Sequence, residues 1–109
     1  MTVKPVVLRL LAERDVDEAI NYFFSEGSPQ SARGFIDAME YAVAHIARHA
    51  ATGSLRYAHE LSLPGLRFRP LQRYPYLVFY IERDSHVDVW RVLHGSRDIP
   101  AWMQQLDEP

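Results

Sequence analysis

The chain has no cysteine, a single lysine (Lys4) and five glycines among its 109 residues. Without cysteine there is no disulfide and no thiolate zinc site, and a reducing cytoplasm is the expected setting. No apolar run approaches the ~20 residues that cross a bilayer, so no membrane partner is expected. The opening, MTVKPVVLRLLAERD, meets arginine and then acids too early for a secretory signal. There is no glycine-rich phosphate loop, nucleophile elbow or His-Glu metalloprotease pattern. A formal net charge of -2 argues against a dedicated nucleic-acid binder.

What is present suits a single globular domain over residues 1–109, with 48% hydrophobic residues and length for a modest core. Basic charge is carried almost wholly by arginine, the better residue for bidentate contacts to carboxylate or phosphate. It is unevenly spread. Between Leu61 and Arg97, Arg67, Arg69, Arg73, Arg83, Arg91 and Arg97 face only Glu82, Asp84 and Asp88.

Val3 to Leu10 reads as a first strand, apolar on both sides, with Pro5 near its start. Ala12 to Glu26 reads as a helix, with Val16, Ala19, Ile20, Phe23 and Phe24 in one stripe and Gly27 as its stop. Ser28-Pro29 opens a second helix in the favoured N-cap and first-turn order. Phe35, Ile36, Met39, Ala42, Val43 and Ile46 form its stripe, and the very short link predicts an antiparallel hairpin. Thr52 to Pro64 is a connector in which Tyr57, His59 and Leu61 make a short strand or a loop. Leu66–Leu71, Tyr76–Glu82 and Val87–Leu93 then read as a meander of three strands. Leu77, Phe79 and Ile81 oppose Val78 and Tyr80, so both faces of this sheet are bulky. Two helices cover one face, and the other is left to the tail or to a partner.

Three groups carry candidate chemistry. His94, Arg97 and Asp98 crowd around Gly95 at the end of the last strand, as a general base beside a phosphate-holding arginine would. The plainer alternative is that they fix a turn. His45 and His49 have a metal-compatible spacing, but no carboxylate completes a motif and both suit a helix C-terminus. Neither a metal nor any other cofactor is therefore expected. Arg67, Arg69 and Arg73 could grip a phosphate backbone while Tyr74, Tyr76 and Tyr80 stack bases. A solvated strand face over core aromatics is the plainer alternative.

The stretch Val92-Leu93-His94-Gly95-Ser96-Arg97-Asp98-Ile99-Pro100 resembles the closing pattern of the ParE branch of the RelE/ParE toxin superfamily. Asp17, Ile20, Tyr22 and Phe23 in the first helix agree with it, as do Gly65-Leu66-Arg67 and the aromatic strand Tyr76 to Tyr80. The resemblance runs from Val6 to Trp102. It implies an α+β fold of order β-α-α-β-β-β plus a C-terminal tail (about 95–109), with an antiparallel sheet under an N-terminal helical hairpin. It also implies the toxin of a type II toxin-antitoxin pair, which inhibits DNA gyrase by binding and is not an enzyme. The cognate antitoxin would be a ParD-like ribbon-helix-helix protein forming a hetero-oligomer with it, and DNA would be met only indirectly, through antitoxin or gyrase.

Arg97, Asp98, Ile99 and Trp102, on a tail expected to lie outside the core, are the candidates for the target contact. Val6, Leu8, Tyr22, Phe23 and Phe24, with Arg67, Arg69 and Arg73, are those for the antitoxin. One alternative is a ribosome-dependent messenger-RNA nuclease of the RelE type, using Arg67, Arg69, Arg91 and His94. Another is a non-toxic module that sequesters the antitoxin.

Overall fold

The structure, a computed structural model, describes residues 3–104. The last five residues of the expected tail lie outside the described residues. Among the described residues no helix is long and apolar enough to cross a membrane.

Strand β1 (Val6–Leu8) passes almost directly into helix α1 (Leu10–Glu26). Gly27 caps α1 by donating its amide to the Phe23 carbonyl, and the Ser28 hydroxyl accepts from the Ser31 amide to open α2 (Pro29–Arg48). A 3-10 turn (Ala50–Thr52) and a short helix α3 (Arg56–Glu60) follow. The meander is β2 (Leu66–Pro70), β3 (Tyr76–Glu82) and β4 (Val87–His94), and helix α4 (Ile99–Met103) closes the described chain.

The α+β class and the order β-α-α-β-β-β are as the sequence predicts. The sheet is not wholly antiparallel. Its order is β1-β4-β3-β2, and β1 lies parallel to β4, with Val6 opposite Val87 and Leu8 opposite Val89. The reason lies in the path. The start of α1 meets β4 through the Arg9 amide on the Val89 carbonyl, and its later residue Phe23 packs on Tyr76 at the far end of the sheet. Thus α1 continues in the direction of β1, α2 returns, and the meander reverses until β4 again runs with β1.

Alternation along β3 divides the core in two. Val78 and Tyr80 join Phe35, Met39, Ala42 and Ile46 of α2 and Ala12 and Ala19 of α1. On the opposite face Phe79, Ile81, Leu66 and Leu93 pack with Ile99 and Met103, flanked by Tyr57, Ala58 and Leu61. Two expectations change here. The segment around Tyr57 is helix, because Tyr57, Ala58 and Leu61 place one apolar stripe under the sheet. The tail is not outside the core, because α4 lays Ile99 and Met103 onto that same face, each 3% exposed.

Glycine matters at two positions. Gly65 sits at φ +85, the left-handed region, as the chain turns into β2. At Gly53 a Cβ would collide with the Tyr80 hydroxyl, which is held in place by donating to the Ala50 carbonyl at 2.7 Å.

Candidate functional site

A cavity of about 620 Å3 opens where α1, the end of β4 and the tail converge. Its walls include Glu18, Tyr22 and Phe23 from α1, Tyr76 and His94 from the strand ends, and Arg97 and Trp102 from the tail. The sequence places these groups far apart, and the parallel run of α1 beside β4 brings them together.

One wall is anchored by a buried ion pair. Arg91, 3% exposed, donates from Nε and Nη2 to the two Asp15 carboxylate oxygens, both at 2.8 Å, and from Nη1 to the Trp102 carbonyl at 3.0 Å. Asp15 also accepts the Val92 amide at 3.0 Å. That amide points out of the sheet, because β1 covers β4 only as far as Val89. Asp15 therefore caps the strand where its neighbour stops, and Arg91 ties α4 to α1. The cost of burying both charges is offset by bidentate geometry and the additional hydrogen bonds. Trp102, half-buried, lies with the Arg97 guanidinium 4.3 Å from its ring centroid and that of Arg91 at 5.6 Å.

His94 is turned into the loop that follows it. Its Nδ1 faces the Ser96 amide at 3.0 Å and the Ser96 hydroxyl at 2.7 Å, and its ring stands edge-on to Tyr76 at 5.2 Å. Burial raises the Tyr76 phenol above its usual pKa, against the opposing pull of Arg97, so it stays protonated at neutral pH. The protonated Tyr76 phenol and the Trp102 indole, beside exposed Arg97 and Glu18, suit recognition of a partner surface better than proton transfer.

The residues named from the sequence fall into separate places. Arg97 and Trp102 line the cavity, whereas Asp98 caps α4 by accepting the Ala101 amide, and Ile99 is core. Tyr22 and Phe24 are 57% and 61% exposed on α1. Phe23 instead turns inward and packs against Phe35, Tyr74 and Tyr76. Val6 and Leu8 are half-buried against the helix-side core. Arg67 donates to the Gly53 carbonyl at 2.8 Å, Arg69 lies beside His45, and Arg73 is exposed. Because β1 and β2 are the two outer strands, the candidate antitoxin residues split between opposite edges, about 14 Å apart at ordinary strand spacing. Of the four groups named for a nuclease, Arg91 is spent on Asp15 and Arg67 on the Gly53 carbonyl.

Sequence reasoning missed Asp15 and Arg91 as a unit. Asp15 reads as one of several acids suited to the first turns of a helix, and nothing local marks a partner 76 positions away. The His45–His49 pair does meet, with ring centroids 5.0 Å apart. Among the described residues, however, no group of three or more histidines or acids is placed to hold a metal.

Residues 6–99 match the family model described as the ParE toxin of the type II toxin-antitoxin system, parDE. The chain belongs to the ParE toxin family. No curated protein matches it in sequence. Among solved structures, a chain of the "Chromosomal ParDE TA system from P. aeruginosa" superposes with a TM-score of 0.70 at 17% identity, over 84% of this chain and 96% of that one. At that identity the likeness establishes a shared ParE fold. The match ends at Ile99, so Trp102 and the rest of α4 lie beyond the part the family model describes.

Proposed function

We propose that this ParE-family protein halts growth by binding DNA gyrase in the cytoplasm, without chemistry of its own, and that a ParD-like ribbon-helix-helix antitoxin neutralises it in a hetero-oligomer. The observation that carries the binding reading is the buried Arg91–Asp15 pair. Arg91, the arginine that a nuclease would need beside His94, is locked on Asp15 behind the cleft wall, and His94 itself serves a turn. What remains at the surface is Arg97 stacked on Trp102, an arrangement that favours contact with a partner. The antitoxin contact is assigned to the exposed Tyr22 and Phe24 near the end of α1 and to the β1 edge at its start, where apolar surface awaits cover.

Expression without antitoxin should filament cells and induce a DNA-damage response. Purified protein should reduce gyrase supercoiling and accumulate cleaved plasmid, and Arg97→Ala should weaken both while leaving antitoxin binding intact. No change in supercoiling or cleavage at any tested concentration would overturn the gyrase reading. Immediate arrest of translation with messages cut on ribosomes would replace it with the nuclease reading.

A further inference from the structure

Positive charge is segregated along one edge of the molecule. Between residues 41 and 81 there are five arginines (Arg48, Arg56, Arg67, Arg69 and Arg73) and three histidines against one acid, Glu60. The fold gathers this stretch. Strand β2 runs at the sheet edge beside α2, so Arg67 reaches the Gly53 carbonyl and Arg69 lies close enough to His45 to help hold its pKa down, after burial as the main cause. Arg73 adjoins Tyr41 and Gln72 in the shallow cleft at the other end of β2, where the one acid of the lining, Asp37, is already paired with Arg33. Among the described residues, Lys4, Arg9, Arg33, Arg83 and Arg91 form ion pairs, whereas the five arginines of this stretch form none, as is also true of Arg14 and Arg97 elsewhere. Arg73 is also held at φ +69, a conformation that favours glycine. A costly backbone under an unpaired arginine points to a use for the side chain.

We propose that this arginine edge binds the phosphate backbone of duplex DNA directly, independently of sequence. The guanidinium suits phosphate oxygens. Of the tyrosines that could have stacked unpaired bases, Tyr80 is fully buried and Tyr74 and Tyr76 pack on Phe35, which leaves Tyr41 as a lone exposed ring beside Arg73, too little to stack successive bases. That favours a duplex, read through charge alone, over a single strand. Tyr41 and Leu55 are the large hydrophobics exposed near this edge, whereas Val3, Val7, Leu10, Tyr22 and Phe24 expose apolar surface elsewhere. A folding-on-binding protein partner needs apolar anchors, and a polyanion does not. The net charge of -2 is thus compatible with DNA contact, because the acids lie mainly outside this stretch.

The test is fluorescence anisotropy of the full chain with a labelled duplex of arbitrary sequence at low salt, with no topoisomerase present. The wild type should bind, and its affinity should fall steeply with salt. Arg69→Ala combined with Arg73→Gly should weaken binding about tenfold or more at low salt and make the log-log salt slope shallower by about 2. Arg73→Gly relieves the backbone, so thermal stability should hold or rise while DNA affinity drops. Arg14→Ala with Arg83→Ala makes the same change in net charge away from this edge and should leave affinity nearly unchanged. Absence of wild-type binding, equal losses in both doubles, or binding to a poly-glutamate peptide but not to duplex would overturn the proposal. Because gyrase is absent, failure here is distinct from failure of the gyrase reading.

Discussion

The two faces of the sheet are built on different terms. The helix-side face is covered by helices of 17 and 20 residues whose stripes meet Val78 and Tyr80. The other face is covered by α3 and α4, of five residues each. Helices that short do not persist by themselves in water. The first face can thus assemble from pieces that favour helix on their own. The second exists only because Phe79, Ile81 and Leu93 are already displayed for Ile99 and Met103 to cover. In a ParE-family chain this leaves Trp102 on the element least able to hold itself and Arg97 on the turn before it, fastened by Arg91 and Asp15.

The comparison can be broken first at the primary core. Phe35→Ala, at a site with 0% exposure, should cost about 3–5 kcal/mol and lower stability by every probe together. Urea unfolding followed by far-UV circular dichroism and by tryptophan emission should stay coincident. Next comes the fastening between the faces. Asp15→Ala leaves Arg91 buried without its carboxylate and should cost about 3 kcal/mol, with Trp102 emission shifting red. A loss below 1 kcal/mol would mean that the pair contributes little beyond register.

Ile99→Ala should cost about 2–3 kcal/mol, and here the probes should separate. In a Trp90→Phe background, Trp102 should report fraying of α4 before the helix signal falls. Coincident loss would show that the two faces fold as one unit and remove the distinction. Asp98→Ala deletes the α4 cap and should cost about 1 kcal/mol, visible as faster amide exchange at Ala101.

The smallest effect is at acid pH. Burial by itself would raise the Asp88 pKa, but hydrogen bonds from Arg9 and Arg83, with the Arg9 charge and the Trp90 indole, prevail and hold it below the usual carboxylate value. A carboxyl group with a depressed folded pKa gives stability that is full above its unfolded pKa and lost as pH falls through the folded one. Melting temperature should therefore show this loss only below about pH 4, and Asp88→Asn should flatten that limb.

Much of the fold is legible in local pattern. Ser28-Pro29 and Gly27 mark the helix boundary because capping chemistry acts within a few residues, and the alternation around Leu77 to Ile81 announces two buried faces. The closing motif is legible as a family likeness. The site is less so. Ile99 sits in the same polar-looking run as Arg97 and Asp98, and only the turn at Gly95 decides that it points inward. The segment around Tyr57 has too few residues to show a helical period, so its form depends on the surface it covers.

The sequence by itself determined the helix hairpin, the meander, the absence of thiol chemistry and the family, because each rests on periodicity, caps or a contiguous motif. Tertiary structure decided the rest. It set β1 parallel to β4, joined Asp15 to Arg91 across the chain, turned the tail into a second core and brought Arg67, Arg69 and Arg73 to the β2 side of the sheet. These follow from which groups meet after the chain reverses direction, and that is a property of the path.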